Sequence, residues 1–182
     1  MTVTPARGLI ALMRLPYWMM TGGLALLTSF AITKGSLDLN IALLTFLSMA
    51  FITSAGFSLN DYFDRESDAM IKPKRPIPSG ALSLKQVVAI SVLLFVVGLS
   101  LSALINKLSL IILLIDSILL VGYSAFIKRK SGFAANILVG ILTGTAFLYG
   151  QAVTLGFDVI SPTSLTLASL RMLPPIVPQA MG

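Results

Sequence analysis

Cysteine and histidine are both absent from the 182-residue chain. Their absence excludes disulfide bonds, thiolate nucleophiles, zinc sites built from cysteine and histidine, haem ligation by histidine and a histidine general base. Charge is also scarce: 11% of the residues are charged, against about 25% in an ordinary soluble domain. With 56% hydrophobic residues, a soluble fold would lack the polar exterior that it needs. The composition therefore predicts an integral membrane protein.

The net charge of +6, from 13 basic and 7 acidic residues, does not indicate a nucleic-acid-binding protein. The basic residues lie between long apolar runs, where membrane topology accounts for them. Five of these runs have about the 20-residue length that a spanning helix needs. They cover residues 15–33, 39–59, 87–105, 108–127 and 134–153. We therefore predict an all-α fold, a polytopic bundle of transmembrane helices.

The distribution of the basic residues predicts how the chain is oriented in the membrane. With the N-terminus in the cytoplasm, ten basic residues lie in cytoplasmic segments and three on the opposite side. Because basic residues accumulate on the cytoplasmic side, the acidic loop after the second span is predicted to be cytoplasmic. The ten are Arg7, Arg14, Arg65, Lys72, Lys74, Arg75, Lys85, Lys128, Arg129 and Lys130, and the three are Lys34, Lys107 and Arg171.

The apolar pattern ends after residue 154. Residues 155–182 contain four prolines, and their one apolar stretch, residues 165–173, includes Arg171 and is too short to span a membrane. We therefore divide the chain into residues 1–154, which hold the five spans, and residues 155–182, which form an incomplete sixth element.

Four of the seven acidic residues fall within eight positions at the end of the second span. Neither glycine nor proline interrupts this stretch, so the helix of the second span is predicted to continue through it. At about 100° per residue, one face of that helix carries Asn60, Asp61, Asp64 and Asp68, while Glu66 points elsewhere.

A helix face with three carboxylates is unfavourable without a counterion. Like charges at helical spacing repel each other, and a carboxylate near hydrocarbon costs additional free energy. A hard divalent cation relieves both effects, and an all-oxygen set of ligands favours Mg²⁺, which also binds substrate phosphates. We therefore predict that Asp61, Asp64 and Asp68 hold a metal that binds phosphate. The alternative is a helix end whose charges merely face water.

A basic, proline-rich turn follows at residues 71–80. Three prolines and a glycine predict a fixed, extended loop that brings Lys72, Lys74 and Arg75 beside the acidic face. Arg75 is the best candidate for a phosphate ligand, because a guanidinium grips two oxygens at once. For the two lysines, a purely topological role is equally good. Ser83 is predicted to cap the third span.

These motifs resemble the UbiA superfamily of intramembrane prenyltransferases. The family signature N-D-x-x-D-x-x-x-D is matched without gaps by Asn60, Asp61, Asp64 and Asp68, and the segment that begins at Arg75, RPIPSG, is similar to the family's R-P-[IL]-x-S-G. Within the superfamily, the residues of these two motifs are most similar to those of archaeal digeranylgeranylglyceryl phosphate synthases. Chlorophyll synthases share the RPIPSG stretch. The similarity extends over about residues 8 to 156 and includes Tyr123, Ser124, Lys128, Gly132, Asn136 and Gly140.

The resemblance implies a Mg²⁺-dependent enzyme that moves a prenyl group from an allylic prenyl diphosphate to a membrane-embedded acceptor, either a lipid alcohol or an aromatic compound. It also implies the role of each residue. Asp61, Asp64 and Asp68 would hold Mg²⁺ and serve catalysis, and the diphosphate would be bound by Asn60, Arg75, Lys128 and Tyr123. Without the resemblance, Lys128 is nearly as well explained by topology, and Tyr123 is better explained by helix packing.

The chain departs from the family pattern in its second half. The family has nine spanning helices and a second aspartate-rich motif after the fifth, whereas this chain has five spans, and after Asp68 its acids are Asp116 and Asp158. The resemblance therefore implies a chain truncated at its C-terminus, with residues 155–182 as a tail outside the family pattern and with weak or no activity on its own. The main alternative is a non-catalytic membrane protein that is a remnant or an assembly partner. A CDP-alcohol phosphotransferase would need D-G-x-x-A-R, which Arg65-Glu66-Ser67 does not match.

Overall fold

The computed structural model describes residues 4–128 and 132–155, and within these ranges the chain is helical without strands. Five helical segments are long and apolar enough to cross a membrane, and they correspond to the five predicted spans. The prediction of an all-α transmembrane bundle is therefore confirmed. The helices are α1 Pro5–Met13, α2 Leu15–Ile32, α3 Leu39–Phe63, α4 Arg65–Ile71, α5 Leu84–Ala103, α6 Lys107–Gly122, a π-helical segment Tyr123–Ile127 and α7 Gly132–Leu155. Residues 156–182 lie outside the described residues.

The first span is longer than predicted and is broken at Arg14. It runs over Pro5–Ile32, and Arg14 separates α1 from α2 with a left-handed backbone, φ 52° and ψ 58°. Few residues other than glycine adopt this conformation, because the side chain then crowds the backbone. The contacts that hold Arg14 in it belong to the site described below.

Helix α3 lies at the centre of the bundle and packs against α2, α5 and α6, while α7 packs against α2 and α6. Small residues let these helices approach each other closely. Gly56 faces Leu120, and Gly98 faces Ile52. Gly150 lies so close to the backbone of α2 that an added Cβ would collide with the carbonyl oxygen of Ala25. These contacts enclose a core of Ala25, Met49, Ile52, Leu113, Ala146, Tyr149 and Val153.

Polar side chains begin three of the spans. Asp38 caps α3 by accepting from the backbone N–H groups of Asn40 and Ile41, and Asn106 caps α6. Ser83 forms a capping box with Gln86 at the start of α5, as predicted from the sequence. Because the first backbone donors of a helix have no partner within it, these caps satisfy groups that would otherwise be orphaned.

Two details of the acidic and basic segments differ from the prediction. The helix of the second span does not continue without a break, because α3 ends at Phe63 and α4 begins at Arg65. The break is slight: the Asp64 N–H still donates to the Asn60 carbonyl (2.9 Å) and the Asp68 N–H to the Asp64 carbonyl (2.8 Å). The basic turn is compact rather than extended, with the Arg75 N–H bonded to the Lys72 carbonyl and the Ser79 N–H to that of Arg75. The φ that proline fixes suits tight turns as well as extended chain.

Candidate functional site

The acidic motif is paired with three basic residues that come from three other parts of the chain. Arg75 Nη1 donates to Asp61 Oδ1 (2.9 Å) and to Asp68 Oδ2 (2.5 Å). Lys128 Nζ donates to Asn60 Oδ1 (3.1 Å) and to Asp64 Oδ2. The four motif residues thus form two pairs, each sharing one cation. Helical spacing predicts that all four side chains share one face, but it does not predict their division into two pairs.

Arg14 is the third basic residue, although the sequence predicts for it only a role in membrane topology. Its Nη2 lies 2.6 Å from Asp61 Oδ1, and its guanidinium lies over the ring of Phe57, 4.6 Å from the centroid. Ion pairing and cation–π contact hold the residue in its unusual backbone conformation. A signal was present in the sequence, because Arg14 stands directly before Leu15-Pro16, where a helix start is favoured.

Burial distinguishes these acids from their neighbour Glu66. Asp61 and Asp68 are 4% and 6% exposed, whereas the Glu66 side chain is 82% exposed and pairs with its chain neighbour Arg65. Their burial therefore argues against the alternative that the charges of Asp61 and Asp68 merely face water at a helix end. Buried carboxylates persist only with partners, and here Arg14, Arg75 and Lys128 balance the three charges one for one.

A cavity of about 370 Å³ opens beside this cluster, inside the bundle. Its charged end is formed by side chains that also belong to the cluster, namely Arg14, Asn60, Arg75 and Lys128. Tyr123 and Ser124 also line the cavity, and the remaining wall is mainly apolar. That wall includes Tyr17, Met20, Met49, Phe57, Leu120, Val139 and Leu142.

The sequence-predicted residues thus occupy two positions. Asn60, Arg75, Lys128 and Tyr123 line the cavity. The three aspartates Asp61, Asp64 and Asp68 do not line it but contact the cations that do. Lys72 and Lys74, which the sequence offered as further donors, are exposed and take no part in the ion pairs of the described residues.

The ligand chemistry of the cluster fits Mg²⁺, although its arrangement is that of a set of ion pairs. The oxygens of Asn60 and the three aspartates are the hard donors that this ion prefers. Within residues 4–128 and 132–155, no three acidic side chains gather around one point that would hold a metal. Because each carboxylate already has a basic partner, a metal would compete with Arg14, Arg75 and Lys128. The assignment of Mg²⁺ to Asp61, Asp64 and Asp68 stays a prediction.

Asp116 lines the same cavity at a distance from the cluster. It is 2% exposed, and Oδ1 accepts a hydrogen bond of 2.6 Å from Thr145 Oγ1. Asp116 precedes Lys128 by twelve residues, so it lies roughly 15–18 Å away along the helix axis. It is therefore separate from the ion pairs, and Asp158 lies outside the described residues.

The chain is similar to known proteins over most of its length. The sequence profile of the UbiA prenyltransferase family matches residues 19–178. The digeranylgeranylglyceryl phosphate synthase of Methanococcoides burtonii is 47% identical over 118 residues, which are 65% of this chain and 42% of the relative. That of Methanothrix thermoacetophila is 39% identical over 145 residues, which are 79% of this chain and 52% of the relative. The chain thus spans about half the length of the curated relatives it matches.

Solved structures agree with the fold. A structure from work on digeranylgeranylglyceryl phosphate synthase in membranes superimposes with a TM-score of 0.84 at 27% identity, covering 92% of this chain and 58% of the other. A UbiA homologue from Aeropyrum pernix, solved in the apo state, gives a TM-score of 0.71 at 19% identity and covers 86% of this chain and 57% of the other. The second similarity concerns the fold alone.

Proposed function

Because this chain belongs to the UbiA prenyltransferase family, we propose that it takes part in prenyl transfer within the membrane. The donor is an allylic prenyl diphosphate, and the acceptor is a membrane-embedded alcohol of the glycerophosphate type. The observation that carries the proposal is the position of the charged cluster at one end of a largely apolar cavity. Such a cavity suits a substrate with a charged head and a long apolar tail.

The charged end of the cavity offers binding groups for the diphosphate. Arg75 and Lys128 line it. Arg75 is held by Asp61 and Asp68, and Lys128 is held by Asn60 and Asp64. Guanidinium and ammonium groups bind phosphate oxygens through charge-assisted hydrogen bonds. Tyr123 also lines the cavity, and we propose that the first carbons of the prenyl chain lie beside it.

Asp61, Asp64, Asp68 and Asn60 would hold Mg²⁺. When bound, this ion supplies neutralisation of the charge that develops on the leaving diphosphate. The chain's own residues do the rest. Arg75 and Lys128 hold the diphosphate while its bond to the prenyl carbon breaks, and the apolar wall keeps water away from the carbon that becomes electron-poor. The acceptor oxygen then forms the new bond and loses its proton.

A transfer assay tests the proposal. Purified protein in lipid nanodiscs should convert radiolabelled prenyl diphosphate and a long-chain glycerol ether phosphate into a prenylated lipid in the presence of Mg²⁺ and not with EDTA. Because the chain spans about half of its curated relatives, the same preparation should also be tested for binding of Mg²⁺ with pyrophosphate. Binding without transfer would favour the alternative, a non-catalytic membrane protein. A protein that shows neither Mg²⁺-dependent pyrophosphate binding nor prenyl transfer would contradict the proposal.

The orientation proposed from the basic residues puts the N-terminus and the acidic cluster on the cytoplasmic side. Because the chain has no cysteine, single cysteines are clean labelling sites. A cysteine at Ser79, in the basic turn, should react with a membrane-impermeant maleimide only from the cytoplasmic side. A cysteine at Ser36, in the exposed turn between α2 and α3, should react only from the other side. The opposite result would reverse the orientation.

A further inference from the structure

Two aromatic side chains in the cavity wall form a packed pair. Tyr17 and Phe57 both line the cavity, and their ring centroids lie 4.6 Å apart with a tilt of 55° between the rings. Tyr17 combines its place in the wall with an exposure of 43%. Its ring therefore has surface that a molecule bound in the cavity can contact.

A chain of contacts joins this aromatic pair to the ion pairs of the site. The guanidinium carbon of Arg14 lies 4.6 Å from the centroid of the Phe57 ring, and Arg14 Nη2 lies 2.6 Å from Asp61 Oδ1. Asp61 in turn accepts from Arg75 Nη1 (2.9 Å). Phe57 also precedes Asp61 by four residues on α3, so the two side chains lie on one face, one turn apart. The rings of Tyr17 and Phe57 thus belong to the part of the wall that adjoins the charged end.

The backbone of Tyr17 is fixed on both sides. Its N–H donates to the Arg14 carbonyl (2.9 Å), and its own carbonyl accepts from Thr21 Oγ1 (3.0 Å). Tyr17 lies in the first turn of α2, three residues after the left-handed break at Arg14. The break therefore sets the position of the Tyr17 ring relative to the charged cluster.

A ring in this position suits a positive charge. The faces of aromatic rings attract cations, because the π-electrons give each face a negative potential. The Phe57 ring already contacts one cation, Arg14, whose charge is balanced by Asp61. The proposed reaction produces a second one. When the bond between the first prenyl carbon and the diphosphate breaks, the first and third carbons of the allylic group share a positive charge.

Resting on the proposed function, we infer that Tyr17 is a catalytic residue whose ring faces the electron-poor carbon of the prenyl group. The diphosphate, held by Arg75 and Lys128, leaves with the electron pair of the broken bond. The Tyr17 ring, against which Phe57 packs, stabilises the allylic cation and forms no bond to it. The acceptor oxygen then bonds to the first carbon, and its proton passes to a diphosphate oxygen.

Two probes distinguish this role from membrane anchoring, which is common for tyrosines near the end of a span. One probe is a trimethylammonium group on a prenyl chain, and the other is its uncharged isostere with carbon in place of nitrogen. Both are titrated into protein in nanodiscs with Mg²⁺ and pyrophosphate. The measured quantity is the ratio of the two affinities, compared between the wild-type chain and each variant. In this comparison, partitioning into lipid and attraction to pyrophosphate cancel.

Tyr17→Leu should lower the preference for the cationic probe by about three- to thirtyfold, the effect of one desolvated cation–π contact. It should keep the affinity for Mg²⁺ with pyrophosphate. Tyr17→Phe should keep the preference to within about twofold, because the ring remains. Tyr17→Trp should keep or raise it, since tryptophan binds cations best. A loss of folding cannot give this order.

Tyr62→Leu is the matched control. Tyr62 also has an arginine over its ring (Arg65, 5.2 Å) and packs against a phenylalanine (Phe63, 5.3 Å), but it lies outside the wall of this cavity. The variant should leave the ratio of affinities unchanged. An unchanged ratio in Tyr17→Leu would overturn the inference and leave the proposed function intact. Failure of the wild-type chain to bind Mg²⁺ with pyrophosphate would contradict the proposed function itself.

Discussion

Replacing Asp64 and Asp68 together by asparagine should remove the Mg²⁺-dependent part of pyrophosphate binding. The two residues belong to the two different pairs of the motif, so the double variant changes both at once. Loss of a group that holds or orients a metal ligand lowers metal affinity by about 10–100-fold, and two such losses should weaken binding by a hundredfold or more. Isothermal titration with pyrophosphate in Mg²⁺ and in EDTA measures the effect.

The titration in EDTA measures how strongly pyrophosphate binds to the basic residues when no metal is present. In the double variant, Arg75 loses one of its two aspartates and Lys128 loses its only one among the described residues. Pyrophosphate without metal should then bind at least as well as to the wild-type chain, because the cations are freed for phosphate. Glu66→Gln is the matched control, since Glu66 is exposed and outside the cluster. Unchanged Mg²⁺-dependent binding in the double variant would show that these aspartates do not hold the metal.

The five spans were predictable because each depends on its own residues. An apolar run of sufficient length defines a spanning helix wherever it packs, and Ser83 caps α5 through Gln86, three positions away. The candidate residues Asn60, Arg75, Tyr123 and Lys128 were also found from the sequence, through the family motifs. All four line the cavity, and their role in binding the diphosphate stays a prediction.

The pairing within the site was not predictable, because it joins residues far apart in sequence. Lys128 contacts Asp64 across 64 positions, and Arg14 contacts Asp61 across 47. Spacing along one helix indicates which side chains share a face but not which neighbouring helix brings the counterion. Arg14 shows the limit most clearly, because a basic residue before a span has an obvious topological explanation. Its role in the site depends on the backbone break between α1 and α2.

The same ion pairs predict how Mg²⁺ and pyrophosphate affect each other's binding. In the described residues, three aspartates are balanced by three basic side chains, so Mg²⁺ alone must displace a cation that is already in contact. Pyrophosphate alone must likewise draw the cations away from the carboxylates. When metal and pyrophosphate arrive together, the carboxylates and the basic residues each gain a partner. Binding of the two should therefore be strongly cooperative.

Replacing Lys128 by methionine breaks this balance on one side. Asp64 and Asn60 lose the ammonium group that contacts both, so Mg²⁺ without pyrophosphate should bind more tightly than to the wild-type chain. Pyrophosphate in the presence of Mg²⁺ should bind about 10–100-fold more weakly, because one charged hydrogen-bond donor is lost. Titration of each ligand alone and of both together measures the two effects, which have opposite signs.

A general loss of folding cannot produce opposite signs, so the result is specific to the site. Lys74→Met is the matched control: it removes the same charge from an exposed position in the basic turn, outside the ion pairs of the described residues. It should change neither titration beyond about twofold, since an exposed charge interacts weakly through water and salt. If Lys128→Met weakened the binding of Mg²⁺ alone, then Lys128 would support the metal site rather than compete with the metal for Asp64.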